Sequence, residues 1–365
     1  MKIIFTGGGT AGHINPAVSM IEKIRKHERD AEILFIGRRG GGENRILESH
    51  GINYEEIEVR GIARRLDIQN FKNVIAAFRA RRRAKEIIKQ FSPDAVVGTG
   101  GYVSWPVISA AKSLKIPTAI HESNIFPGLT TKLLSKQVDT VMLGNESTKQ
   151  FLPKAKSVTV VGNPLREDFL RLTREGARRE LGLSKNELLI VSFGGSIGAE
   201  KLNRAVIELM RSFSEKERNI RHVHAVGDRY YRQIAKQYLP KKSSGCRILP
   251  FIDKMPVYLR AADIVISRAG AMTISEIALV GAAAILIPSP NVTDNHQYKN
   301  AKILSDGGAA ILIEEANLTD QALLQVICRL CKSKDERALL GNAAKRFAVS
   351  DANEACYRTI KSLIR

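Results

Sequence analysis

An apolar run, Lys2-Ile-Ile-Phe-Thr6, leads directly into the glycine turn Gly7-Gly-Gly-Thr-Ala-Gly-His13, which opens onto a helical stretch beginning Ile14-Asn-Pro-Ala. A strand, a glycine turn and a helix in that order are the building unit of parallel, helix-covered sheets. Glycines let the backbone approach a ligand closely and take positive φ, while the helix aims unpaired N–H groups and its positive dipole end at the same point. Such a turn is suited to an anion, phosphate above all. Gly7, Gly9 and Gly12 also satisfy G-x-G-x-x-G, but the dinucleotide fingerprint needs an acid closing the second strand about 20 residues on. That strand, 31–37, ends in Gly37 and runs into Arg38 and Arg39, with Asp30 and Glu32 at its wrong end, which argues against a nicotinamide cofactor.

Strand and helix patterns alternate along the chain. Apolar runs at 3–6, 33–36, 95–97, 118–120, 140–143 and 158–161 are separated by helical stretches, the signature of a doubly wound domain. A charged connector, 166–180, precedes a second start at Leu188-Leu-Ile-Val-Ser-Phe-Gly-Gly-Ser-Ile-Gly198, which repeats the opening architecture. Further strands are expected near 222–226, 247–249, 264–266, 284–287 and 310–313, followed by helices over 318–332 and 335–364. At 365 residues the chain exceeds a usual single core, so two α/β domains are expected. Ligands of such sheets lie beyond the carboxyl ends of the strands, and two domains facing each other would form one cleft.

Lys and Arg outnumber Asp and Glu 57 to 37, a net charge of +20, which brings nucleic acid, anionic membrane surfaces and phosphorylated substrates forward as partners. Aromatics are only 6%, and no RNP, KH or zinc-finger spacing occurs, which places nucleic acid last. No apolar run is long enough to span a bilayer and the N-terminus reads as a strand, so a soluble, non-secreted chain is expected. Cys328 and Cys331 lie in a helical apolar pattern without a second ligand pair, and with Cys246 and Cys356 read as buried thiols, not a metal site. No D-x-D occurs, so no metal is expected to clamp a diphosphate, and backbone amides and basic side chains must serve instead.

Seven motifs follow in register: the first turn with Asn15-Pro-Ala, Gly98-Thr-Gly-Gly-Tyr-Val103, His121-Glu-Ser-Asn124, Gly162-Asn-Pro-Leu-Arg166, Gly194-Gly-Ser-Ile-Gly198, Ser267-Arg-Ala-Gly-Ala-Met-Thr-Ile-Ser-Glu276, and Asn295-His-Gln297 with Asn300-Ala301. Over essentially the whole length the chain resembles the MurG family, transferases that add N-acetylglucosamine to the undecaprenyl-linked muramyl pentapeptide on the cytoplasmic side of bacterial membranes. Ala11 stands where that family usually has a third turn glycine, and Ser123 where it often has glutamine. A methyl at position 11 requires negative φ.

The resemblance implies a GT-B fold, two Rossmann-like α/β domains: 1–163 for the acceptor and the membrane, 164–345 for the UDP-sugar, and a terminal helix, 346–365, packing back on the first. It implies an inverting transfer from UDP-N-acetylglucosamine to the muramyl 4-hydroxyl of lipid I, with no cofactor. It also implies peripheral attachment to the cytoplasmic face of the membrane, with anionic lipids and further cell-wall synthesis proteins as partners. A GT-B enzyme acting on a diacylglycerol and a non-catalytic nucleotide-binding protein remain the alternatives.

His13, at a helix entry beside the anion turn, reads either as a capping residue or as an acid–base group, and the resemblance supports general base or acceptor-orienting partner. Gly98 to Gly101 follow a strand and precede a helix, giving a second amide cradle on the same sheet edge, and two cradles suit a diphosphate. Gly8, Gly9, Gly100, Gly101 and Tyr102 are accordingly assigned to the acceptor diphosphate. Ser196 with its turn amides suits a nucleotide phosphate. Glu276 is a solvated helix acid or a ribose ligand, and the resemblance favours ribose. Gln297 suits vicinal sugar hydroxyls, and Arg166 a departing diphosphate. Thr10, Ala11, Gly12, Asn124, Ile252, Ala271, Met272, Thr273, Ile274 and Ser275 complete the UDP-N-acetylglucosamine set by resemblance.

One helical stretch, 71–91, has two apolar faces: Ala76, Ala80, Ala84, Ile87 and Phe91 on one, and Phe71, Val74, Ile75 and Phe78 on the other, about 160° apart. The second is rimmed by Lys72, Arg79, Arg81, Arg82 and Arg83, and residues 60–89 hold ten basic residues against Asp67 and Glu86. Such a strip reads as attachment to anionic headgroups, the other reading being a second packing surface.

Overall fold

The computed structural model describes residues 1–9, 11–41, 43–61, 68–195, 197–212, 219–237 and 245–364. The chain divides into two compact units, Met1–Arg166 with Val349–Arg365, and Glu167–Ala348.

The first unit carries a parallel seven-stranded sheet of β1 (Lys2–Thr6), β2 (Glu32–Arg38), β3 (Asn53–Ile57), β4 (Ala95–Gly98), β5 (Thr118–Glu122), β6 (Thr140–Leu143) and β7 (Val158–Val160). Their order is β3-β2-β1-β4-β5-β6-β7. Because helices cover both faces, most strands are apolar at consecutive positions. Alternate residues then feed two cores. Ile4, Leu34, Ile36, Val96 and Ile120 pack with Ala80, Ala84, Ile87, Val107 and Ile108. Ile3, Phe5, Ile33, Phe35 and Val97 pack with Ile14, Val18 and Ile21 of the helix Ala11–His27 and with Cys356, Tyr357 and Ile360. Strand β3 lies outside the expected set: Asn53, Glu55 and Glu56 make it too polar to read as a buried strand, which an edge position allows.

The second unit carries β8 (Leu188–Phe193), β9 (Ile220–Ala225), β10 (Cys246–Leu249), β11 (Ile264–Ser267), β12 (Ala283–Leu286) and β13 (Ala310–Leu312) in the order β10-β9-β8-β11-β12-β13, again parallel. The 166–180 stretch, expected as a connector, folds into two short helices, Glu167–Arg171 and Arg174–Glu180. Phe169 is fully buried, and Arg174 and Arg178 both pair with Asp263 at 2.6 and 3.1 Å. The helix expected over 335–364 is broken into Lys334–Lys345 and Ala352–Ile364. The latter packs on the helix Ala11–His27, where the Tyr357 hydroxyl donates to Glu28 at 2.7 Å and the His27 and Tyr357 rings stack at 4.3 Å. Among the described residues no helix is long and apolar enough to cross a membrane.

Candidate active site

In the first sheet the strand order reverses between β1 and β4, and in open α/β sheets the crevice at such a reversal is where ligands bind. Thr6 and Gly98 are register partners there, so the turns after both strands leave the sheet side by side. They interlock around His13. Its Nδ1 lies 3.0 Å from the Gly8 carbonyl, and its own carbonyl accepts the Thr99 hydroxyl at 2.6 Å. A carbonyl can only accept, so Nδ1 carries the proton and the lone pair of the neutral imidazole lies on Nε2, the arrangement a general base needs. Gly101, at φ +80°, must be glycine on two counts, since a Cβ there would lie 2.2 Å from the same Gly8 oxygen. At Gly100 a Cβ would meet the imidazole at 2.8 Å, and at Gly9 it would touch the Tyr102 ring at 3.5 Å. Ala11 opens the helix. Gly12 follows in the first helical turn, and Thr10 lies outside the described residues.

Thr99 was not singled out from the sequence, and neither was Glu122. The Glu122 carboxylate, only 6% exposed, accepts from the Asn124 backbone and amide at 3.0 and 3.1 Å, the Gly128 N–H at 3.0 Å and the Thr131 hydroxyl at 2.6 Å. It thereby fixes the loop that presents Asn124. The signal was an acid closing the apolar strand Thr118-Ala-Ile-His-Glu122, an expensive placement without such partners. Arg166 follows a loop pinned by Asn353, whose amide donates to the Leu165 carbonyl at 2.8 Å and accepts from its N–H at 2.9 Å.

The second unit repeats the design. Its order reverses between β8 and β11, where Phe193 and Ser267 are register partners. The turn after β8 contains Gly198 at φ +79°, where a Cβ would strike the Val226 carbonyl at 2.0 Å; Ser196 lies outside the described residues. After β11 the chain enters the helix Ala271–Val280, capped by Gly270. Ile274 N–H bonds back to Gly270, which leaves the N–H groups of Ala271, Met272 and Thr273 as the first-turn donors of an anion site. The Met272 and Ile274 side chains are buried, as is that of Ile252, so these three can meet a ligand only through backbone. Ser275 turns its hydroxyl to the Ala271 carbonyl at 3.1 Å, and Glu276 lies half-buried one residue on. The Gln297 carbonyl oxygen accepts the Ser289 N–H at 2.9 Å, leaving its amide nitrogen to donate. Arg268 braces the adjoining loop through the Ile287 and Pro288 carbonyls at 3.1 and 3.2 Å and an ion pair with Glu315.

Two further histidines are core groups. His222 and His224 flank the Ser192 hydroxyl at 2.7 and 2.9 Å, fully buried, and burial pushes their pKa values down from 6.5 to about 3 and about 4. Burial likewise lowers His121, whose Nε2 donates to the Gly162 carbonyl at 3.0 Å. Cys246 and Cys356 are buried free thiols, and Cys328 and Cys331 are partly buried. Among the described residues no group of three or more His, Cys, Asp or Glu could hold a metal ion.

The helix Ile68–Phe91 buries Ala77, Ala80, Ala84, Ile87 and Ile88. Ala77 takes the core place expected for Ala76, which is half-buried. Ile75 and Phe78 are 40% and 58% exposed, and the Phe78 ring stands edge-on to Trp105 at 5.9 Å. Arg79, Arg82 and Arg83 are exposed and Arg81 half-buried, while the Phe71 and Val74 side chains lie outside the described residues.

The glycosyltransferase family 28 N-terminal domain matches residues 3–143 and the glycosyltransferase family 28 C-terminal domain residues 189–355. The UDP-N-acetylglucosamine--N-acetylmuramyl-(pentapeptide) pyrophosphoryl-undecaprenol N-acetylglucosamine transferase of Acetivibrio thermocellus is 41% identical, covering 100% of this chain and 99% of that protein. The protein of the same name from Caldanaerobacter subterraneus is 40% identical over 100% of both. The crystal structure of Acinetobacter baumannii MurG matches with a TM-score of 0.77 at 27% identity over 99% of each chain. A resemblance carried by seven short motifs is thus matched by identity along the whole length and by both sheets, and the chain belongs to the MurG family of GT-B glycosyltransferases.

Proposed function

We propose that the protein transfers N-acetylglucosamine from UDP-N-acetylglucosamine to the 4-hydroxyl of the muramyl unit of the lipid-linked pentapeptide acceptor. The observation that carries the mechanism is the imidazole of His13, held at the β1/β4 switch point with Nδ1 protonated against the Gly8 carbonyl. Nε2 takes the proton of the muramyl hydroxyl as its oxygen attacks the anomeric carbon. The bond to the UDP oxygen breaks in the same displacement, so configuration inverts. The acceptor diphosphate lies on the turn amides of Gly8, Gly9, Gly100 and Gly101 beside Tyr102. In the second unit, the amides of Ala271 to Thr273 with the Ser196 turn take the UDP diphosphate, Glu276 the ribose and Gln297 the sugar hydroxyls. Arg166 neutralises charge on the leaving diphosphate, a task electrostatics can perform without a metal.

Membrane attachment belongs to the same reading. The exposed Ile75 and Phe78 with their arginine rim suit insertion among anionic headgroups on the cytoplasmic face, which brings the lipid acceptor to the turns. The test is transfer of labelled sugar from UDP-N-acetylglucosamine to a short-chain lipid I analogue, with a diacylglycerol in parallel. Product on the muramyl acceptor alone is expected; product on the diacylglycerol alone, or on neither, overturns the reading.

A further inference from the structure

A groove of about 390 Å³ opens at the outer end of the first sheet, lined by Arg39, Asn44, Tyr54, Glu55, Glu56 and Arg83. Arg39 directly follows β2, and Glu55 and Glu56 lie in the second half of β3 as register partners of Ile36 and Gly37. The groove therefore shares the carboxyl edge with the His13 turn, two strands away. At about 4.8 Å per strand that is roughly 10 Å along the edge. Both signs of charge are set out for a ligand. Glu56 Oε1 is fixed by the Gly40 N–H at 3.1 Å and the Asn44 amide at 2.7 Å, and these bonds, with Arg39 nearby, hold its carboxyl below the usual range. It stays an oriented anion. The Arg39 guanidinium has no hydrogen-bond or ion-pair partner among the described residues, and Arg83 reaches Glu55 only at 3.4 Å between two exposed side chains, a pairing worth little.

We propose that this groove is a subsite for the peptide arm of the acceptor, with Arg39 receiving a peptide carboxylate and Glu56 an ammonium or a backbone N–H. The assignment rests on the transferase reading above, and concerns how the acceptor is recognised. Reach supports it: five extended residues span about 17 Å, more than the roughly 10 Å that separates the turn from the groove. A lipid tail or a phosphate would bring the Glu56 carboxylate no donor beyond the Gly40 N–H and the Asn44 amide that already hold one of its oxygens.

The experiment compares two lipid-linked muramyl acceptors, one with the pentapeptide and one without, in the full-length protein and in the R39Q and E56Q variants. KM for the peptide-bearing acceptor is expected to rise about tenfold in each variant, the scale of one partly exposed charged contact. KM for the peptide-free acceptor and for UDP-N-acetylglucosamine, and kcat for both acceptors, should stay within twofold. Unchanged KM for the peptide-bearing acceptor, or an equal rise for both acceptors, overturns the subsite. Arg39 is exposed, so R39Q carries the test even if E56Q loosens its loop. Wild-type protein that glycosylates neither acceptor overturns the transferase reading, and the subsite with it.

Discussion

The His13 side chain owes its tautomer to a backbone oxygen. The Gly8 carbonyl fixes which nitrogen holds the proton, and Gly100 and Gly101 leave the room the ring occupies. Replacing His13 with alanine should lower kcat by about two orders of magnitude while KM for UDP-N-acetylglucosamine stays nearly constant, measured by steady-state transfer. A loss within a few-fold would move the base elsewhere. The position of His13 was legible because a glycine turn between strand and helix has few other uses. What the sequence left open were the groups that hold it and its neighbours: Thr99 reads as an ordinary turn residue until its hydroxyl is seen on the His13 carbonyl, and Glu122 closes an apolar strand with partners that only the fold brings to it, four bonds in all.

At the scale of elements, strands buried on both faces were legible from their apolar runs, and β3 was not, because an edge strand with Asn53, Glu55 and Glu56 carries no such run. The charged 166–180 stretch misled in the opposite direction: two of its arginines, Arg174 and Arg178, are internal ties to Asp263, whose placement no local pattern reveals. The helix Ala271–Val280 makes a ligand prediction. Glu276→Ala should weaken UDP and UDP-sugar equally, by about 1 to 3 kcal/mol in calorimetry, because the ribose is common to both. Unchanged UDP affinity would remove Glu276 from the site. Strands β8 and β9 make one about pH. His222 and His224 have folded pKa values of about 3 and about 4 against 6.5, so below pH 6.5 the unfolded chain binds more protons than the folded one. Their contribution is fully present above 6.5 and drains as pH falls toward 4, by up to about 1.4 kcal/mol per pH unit for each. Urea midpoints between about pH 7 and about pH 5 should show the slope, and His222→Gln should flatten it. An identical slope in that variant would place the proton uptake elsewhere.

For the molecule as a whole, the charge of +20 and the strip on the helix Ile68–Phe91 meet in one prediction. Ile75→Ser with Phe78→Ser should release the protein from anionic vesicles in a flotation assay, leave transfer to a water-soluble acceptor analogue intact, and cost stability only about 1 to 2 kcal/mol, the scale of two half-exposed side chains and the Phe78–Trp105 edge contact. Wild-type binding should also weaken with added salt. Loss of soluble-acceptor activity in the double variant would assign the strip to the core instead.

The helix Ala352–Ile364 adds a constraint of a different kind, one of timing. It supplies Cys356, Tyr357 and Ile360 to a core whose other members lie among residues 1–161, while the whole of the second unit is encoded between them. On the ribosome, residues 167–348 emerge and can close their own sheet before Cys356, Tyr357 and Ile360 reach the core they complete. The unit that begins first is finished last, and through most of synthesis its core lacks the side chains that the helix Ala352–Ile364 supplies.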